Sequence, residues 1–310
     1  MAKIQKIEFE HFSWTSIESP DEQAMDELVN KYRFHPLDIA DCLSPSYRSK
    51  IDVYPKYGFI VFLFPVYISD GREVAPAELD VFIGKNYLIT VHRGDIKVFT
   101  DFFNLFRMSH DLRNKYSDKS PEKLLYEIVH KLLLYCFPMI DHLNEDCDRI
   151  EKAIFSGKER AMVQEILVIR RNITDFRKIM QVHKNVIKKA ITYFKQRPYF
   201  VMKKTDAYFE SLVDYSKEIW DTLDNLKERI EALQQTNESQ ISFQLSDIMR
   251  ILTTISVITF PVTLIAGIFG MNTIHAMPFI DSQYGFWYIL GIMISVAIAM
   301  MIVFKKKGLM

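Results

Sequence analysis

The chain has 310 residues, 49% of them apolar and 25% charged, with 39 basic and 39 acidic side chains and a formal net charge of zero. A neutral chain lacks the basic excess of a general nucleic-acid binder, so no nucleic-acid partner is expected. The three cysteines, Cys42, Cys136 and Cys147, are odd in number and show no CxxC spacing, which predicts reduced thiols in a cytosolic domain. The N-terminal MAKIQKIEFEHF has no apolar h-region, so no cleavable signal peptide is expected.

Residues 1–95 read as mixed α/β. Lys6 to Trp14, Tyr57 to Tyr67 and Glu78 to His92 are rich in β-branched and aromatic residues and are broken by turn signals such as Asp70-Gly71. Between the first two of these runs a helix is predicted, with Ser19 as N-cap, Pro20 at N1 and Glu22 at N3. Its apolar positions Met25, Leu28, Val29 and Tyr32 recur at helical intervals. From Asp95 onward strand signals fade. Residues 121–156 and 159–195 read as two long helices separated near Gly157, an antiparallel hairpin.

From Tyr199 to Phe260 there is neither Gly nor Pro, 62 residues without a breaker. As one helix that run is roughly 90 Å long at 1.5 Å per residue. Leu212, Ile219, Leu223, Leu226, Ile230 and Leu233, then Ile241, Leu245, Ile248 and Leu252, form a heptad-like seam interrupted by Asn237. The seam predicts helix packing along the whole length, and it runs directly into an apolar segment. Between Arg250 and Asp281, and again from Gly285 to Phe304, there is no Lys, Arg, Asp or Glu. Ile251 to Met271 supplies 21 residues and Phe286 to Phe304 supplies 19; a bilayer core of ~30 Å needs about 20. Two membrane spans are therefore expected. Arg250 and Lys305 to Lys307 flank them while segment 272–285 has no Lys or Arg, so both termini are expected in the cytoplasm.

The two spans differ in chemistry. The second is apolar all round apart from Ser295, with Trp287 and Tyr288 as interfacial anchors, and suits a lipid-facing helix. The first carries several Ser and Thr, contains Pro261 and closes on Gly267, Gly270 and Asn272. At helical spacing Met249, Leu252, Ser256, Phe260, Thr263, Gly267 and Gly270 share one face. An apolar stretch of that kind can gate a pore by dewetting, and a packing face between neutral helices accounts for the glycines equally well. Two helices cannot enclose an aqueous pore, so a conducting form requires several chains.

Gly270-Met271-Asn272, followed by Met277-Pro278, resembles the signature of the CorA family of magnesium channels. The resemblance extends to His35-Pro36-Leu37 through Asp41, to Phe82 through His92, to the mid-span proline and to the Lys-rich tail, and so covers essentially the whole chain. It implies an α+β protein with an N-terminal α/β cytoplasmic domain (residues 1–120) and long coiled-coil-like cytoplasmic helices (121–247). After these come a pore-lining span (248–272), an outer loop (273–285), a second span (286–304) and a basic tail (305–310). It further implies a homopentameric inner-membrane channel for Mg²⁺, which is both transported and regulatory ion, with no organic cofactor. Gly270, Met271 and Asn272 would form the filter, and Asn272 carbonyls would hold the ion through its waters. Thr263, Phe260, Ser256, Leu252 and Met249 would line the pore, the last two in a hydrophobic gate.

The chain departs from the family pattern at two places. The family's sensor pairs an Asp after His-Pro-Leu, here Asp41, with an Asp on the long helix; the latter position is Ser211, with Glu210 and Asp214 nearby as substitute ligands. After Met-Pro, where the family often has Glu, this chain has Phe279, and Asp281 is the only carboxylate in the loop. His275 reads as a solvated loop residue. Glu145 to Glu151 reads as a solvated acidic helix face. No HExxH, GxxxxGK, GxSxG or GxGxxG motif is present, so no enzyme is expected. The alternatives are transport of Zn²⁺, Co²⁺ or Ni²⁺ by the same scaffold, or a two-span sensor or tether without a pore.

Overall fold

The computed structural model describes residues 2–46, 48–117, 120–200, 206–271, 278–279 and 282–306. They divide into two compact units, Met1–Gln234 and Gln235–Met310.

The first unit is built on a six-stranded sheet. The strands are β1 (Lys3–Glu8), β2 (Ser13–Glu18), β3 (Lys50–Val53), β4 (Tyr57–Ile68), β5 (Glu73–Gly84) and β6 (Tyr87–His92). Their order is β1-β2-β6-β5-β4-β3, antiparallel throughout except for β2 with β6. Two of the predicted strand runs are in fact hairpins. Phe9 and Phe12 stack at 4.4 Å and close β1 on β2, and Lys85-Asn86 turns β5 into β6. A strand places successive side chains on opposite faces, and both faces of this sheet are apolar. Trp14, Ile60, Phe62, Phe64, Leu79, Val81 and Leu88 enter one core; Ile17, Phe59, Val61, Phe82, Ile89 and Val91 enter another. The sheet is therefore the middle of three layers.

One outer layer is α1 (Glu22–Tyr32) and α2 (Pro36–Leu43), which contribute Met25, Leu28, Ile39 and Cys42. The start of α1 differs from expectation. Ser19 does not cap it: Ser19 has φ 55°, and its N–H donates to His92 O at 2.8 Å, extending the β2–β6 pairing. Asp21 caps α1 instead, one oxygen accepting from Ala24 N at 2.9 Å and the other from Ala2 N at 2.8 Å.

The other layer contains α3 (Lys97–Met108), α4 (His110–Ser117), α5 (Pro121–Phe155), α6 (Glu159–Met180), α7 (His183–Lys195) and the first part of α8 (Asp206–Phe269). The predicted hairpin is present, with α5 and α6 packed together across the turn at Ser156-Gly157, where Gly157 has φ 81°. The predicted single helix 159–195 is interrupted at Gln181-Val182, and His183 and Val186 of α7 then turn into the core. The long helix also begins later than Tyr199. Tyr199 and Phe200 lie in a turn, where Phe200 packs edge-on against Tyr193 and Phe194.

Within the first unit the seam of α8 is filled: Leu212, Ile219, Leu223, Leu226, Ile230 and Leu233 are all buried. In the second unit it is not: Leu245, Ile248 and Leu252 are 59%, 53% and 57% exposed. The helix stays continuous through Pro261 to Phe269. After it comes α9 (Gly285–Lys306). Gly285 is needed there because a Cβ would lie 2.2 Å from Phe279 O. These two helices are long and apolar enough to cross a membrane, with mean hydropathy 2.1 and 2.4 over their apolar windows.

Candidate functional site

Three groups of predicted residues have distinct surroundings. The first is the stripe on α8. At 100° per residue, Met249, Leu252, Ser256, Phe260, Thr263, Gly267 and Gly270 fall within an arc of about 80°. Met249, Leu252 and Phe260 are 54%, 57% and 72% exposed, and among the described residues nothing beyond the helix's own backbone lies within 4 Å of a Cβ built on Gly267. The described residues thus leave this face uncovered. Ser256 Oγ donates to Leu252 O at 2.9 Å and Thr263 Oγ1 to Thr259 O at 3.0 Å. Such back-bonds satisfy hydroxyl donors in an apolar helix and leave the oxygen lone pairs facing outward. At the helix end Gly270 N donates to Ala266 O at 2.9 Å and Met271 N to Ile268 O at 3.3 Å, closing the last turn. Asn272, His275 and Asp281 lie outside the described residues.

The second group surrounds Asp41. His35 caps α2 through Nδ1, which accepts from Leu37 N at 3.2 Å, and Pro36 occupies the first turn. The helix then presents Asp38 and Asp41 beside Asp52 of β3, with one carboxylate oxygen from each within 4.8 Å of the others. Asp38 is 1% exposed and accepts from Tyr57 Oη at 2.7 Å and Tyr54 Oη at 2.9 Å. Burial raises its pKa, partly offset by the two phenols. Lys50 Nζ bridges Asp41 Oδ2 at 2.6 Å and Asp52 Oδ2 at 2.8 Å. Partial burial acts to lower the Lys50 pKa, but the two carboxylates hold it well above the ordinary lysine value. Sequence reasoning singled out Asp41 and did not name Asp38, Lys50 or Asp52, which the fold places beside it. The readable signal was the i,i+3 spacing of two aspartates on a short helix.

The third group is Glu210 and Asp214, one turn apart on α8, on an open groove with Lys188 and Thr192 of α7. Within one chain these carboxylates do not join the Asp41 cluster. Ser211 Oγ donates to Tyr208 O at 2.6 Å, an internal bond of the helix. The acidic stretch of α5 is largely neutralised: Arg229 of α8 pairs with Asp148 at 2.5 Å and Glu151 at 2.7 Å, and Arg149 with Asp146 at 2.7 Å.

An α/β domain, long helices and a C-terminal pair of membrane-length apolar helices define a two-span class of membrane protein. Residues 9–306 match the family described as "CorA-like Mg2+ transporter protein", and the chain belongs to that family. It is 26% identical over 276 residues to the cobalt/magnesium transport protein CorA of Thermotoga maritima, covering 89% of this chain and 77% of the relative. It is 21% identical over 308 residues to the protein of the same name from Methanocaldococcus jannaschii, covering 99% and 94%. The solved CorA magnesium transporter of the latter organism superposes with TM-score 0.82 at 19% identity over 98% of this chain and 94% of that one. The full-length CmaX protein gives 0.73, likewise at 19% identity, over 95% and 88%. These likenesses carry the fold, and the family is one of transporters rather than enzymes.

Proposed function

We propose that the protein is a homo-oligomeric channel, a pentamer, that takes up Mg²⁺ across the cell membrane. The observation that carries the proposal is the bare stripe of α8. Seven residues at pore-lining spacing stay uncovered in a single chain, graded from bulky apolar at Met249 and Leu252 to small and polar at Thr263, Gly267 and Gly270. The unfilled seam of Leu245, Ile248 and Leu252 supports assembly from further copies, since apolar seams at heptad spacing are ordinarily occupied by another helix. Family membership and the relatives named for cobalt and magnesium transport support the ion class.

In this reading a ring of Asn272 amide oxygens holds Mg²⁺ through its water shell, because the ion dehydrates reluctantly and weak multi-site binding permits release. Thr263 and Ser256 offer oxygen lone pairs to those waters. Phe260, Leu252 and Met249 form the dewetting gate, and the cytoplasmic domain, both termini included, closes it when internal Mg²⁺ is plentiful. Asp41 of one chain meets Glu210 and Asp214 of the next, and the bridging cation offsets their repulsion. The domain ranges 1–120 and 121–247 describe functional parts, body and stalk, of that machine.

Hexaamminecobalt(III), an unexchanging mimic of hydrated Mg²⁺, tests the hydrated-ion filter. In liposomes loaded with a Mg²⁺ indicator it should block influx when added outside. Influx that is insensitive to it, or Zn²⁺ flux without Mg²⁺ flux, would reject the Mg²⁺ reading in favour of a pore that takes dehydrated ions.

A further inference from the structure

The layer beneath α2 gathers more carboxyl groups than cations. Asp38, Asp41 and Asp52 converge within 4.8 Å, and behind them Glu78 and Asp80 of β5 lie on the sheet face that α2 covers. Glu78 and Asp80 are 8% and 2% exposed, and among the described residues Glu78 Oε1 and Asp80 Oδ1 have no hydrogen-bond partner of good geometry. Burial raises the Asp80 pKa well above the usual range, and the neighbouring Glu78 and Asp41 charges add to the shift. Among the described residues the salt bridges to these five carboxylates come from one side chain, Lys50. Its ammonium sits between Asp41 and Asp52, and its backbone lies in β3, where Lys50 pairs with Val61 of β4.

An ammonium and a divalent ion cannot occupy the same 4.8 Å space, since like charges at that range repel strongly. The two are also unequal ligands. Lys50 is a point charge of one unit that the fold supplies at fixed effective concentration, whereas Mg²⁺ must arrive from solution and arrange oxygen donors octahedrally. Asp38 retains lone pairs beyond the two phenol bonds, so three carboxylates are available to a cation once the ammonium leaves.

We propose that Lys50 is a tethered cation that closes the Asp38–Asp41–Asp52 cluster, so that a divalent cation binds there only by displacing the ammonium. This deepens, and rests on, the reading of Asp41 as part of the Mg²⁺ sensor. Lys50 desensitises that sensor: closure then requires more internal Mg²⁺ than three free aspartates would. Asp52 and Asp38 become ligands contributed by the same chain as Asp41, whereas Glu210 and Asp214 come from the neighbour.

The test is a Mg²⁺ titration of the full-length protein in detergent, read by calorimetry and by thermal unfolding. Lys50→Gln should bind Mg²⁺ at about tenfold lower concentration than wild type, because a neighbouring unit charge has been removed. Without divalent ions it should unfold at a lower temperature, and Mg²⁺ should restore it. Lys50→Arg should behave as wild type, and the double variant Lys50→Gln/Asp52→Asn should lose the gain. Glu210→Gln/Asp214→Asn separates the two readings. If Lys50→Gln retains its gain in that background, the intrachain site stands even where the intersubunit sensor fails. Equal Mg²⁺ affinity in wild type and Lys50→Gln, or a gain that survives Asp52→Asn, would overturn the proposal.

Discussion

His183 shows how burial at a single residue writes a pH dependence into the whole fold. It is fully buried against Phe62 and Phe64, and among the described residues neither ring nitrogen has a hydrogen bond of good geometry. Burial pushes its pKa down from 6.5 to about 4, against a smaller opposing pull from backbone groups of Ile179, Leu63 and Met180. The unfolded chain therefore takes the proton below about pH 6.5 and the folded chain only below about 4, so stability is full above the upper value and falls as pH drops through that window. At 1.36 kcal/mol per pH unit the loss is ~3 kcal/mol by pH 4. His92, whose Nδ1 accepts from Gly94 N and whose Nε2 donates to Ser16 Oγ, is pushed down to about 4 by burial as well and loses stability in the same window. Thermal unfolding followed from pH 7 to pH 4 should show the descent, and His183→Leu should remove about half of it. An unchanged descent would place the acid sensitivity elsewhere. None of this was legible in the sequence, where the eight histidines are scattered without spacing. What distinguishes His183 is the break between α6 and α7, which no glycine or proline announces.

Helix α8 combines two environments in one element, and its sequence conveyed both. The heptad-like steps marked the seam, and the structure fills it up to Leu233 and leaves it open beyond Leu245. Apolar periodicity records that a face is buried, but not whether its partner belongs to the same chain. For the same reason the strand runs were recognised while the hairpins inside two of them were not: their turns lack the Asn-Gly or Asp-Gly signal, and aromatic residues continue across them. Arg229 is a further feature that spacing could not reveal, since its partners Asn144, Asp148 and Glu151 are about 80 positions away. These are part-exposed ion pairs, so Arg229→Met should cost only ~1 kcal/mol or less in global stability. Its effect should appear locally, as faster hydrogen exchange at the ends of α5 and α6 that pack with α8; exchange rates equal to wild type would show that the ion pairs hold nothing in place. At the proposed gate, Leu252→Asn should admit water to the apolar stretch and raise Mg²⁺ leak at high internal Mg²⁺. A leak no larger than wild type would locate the constriction at another level of the stripe.

For the whole molecule, the class of protein was legible because three signals agreed: the two uncharged apolar stretches, the breaker-free helix before them, and Gly270-Met271-Asn272 between them. The aspartate cluster around Lys50 was only partly legible. Asp41 stood in a recognisable segment, whereas Lys50 and Asp52 come from a strand whose side chains meet α2 only after folding. The proposed function requires that Asn272 selects the ion and that the cytoplasmic unit senses it. Wild type and Asn272→Ala reconstituted in liposomes, with Mg²⁺ influx followed by an internal indicator at low and millimolar internal Mg²⁺, test both at once. The expected result is rapid influx into wild-type vesicles at low internal Mg²⁺, suppression when internal Mg²⁺ is high, and influx in Asn272→Ala reduced to near background. Mg²⁺ influx through Asn272→Ala equal to wild type would contradict the filter, and no wild-type influx under an inward gradient would contradict the channel itself.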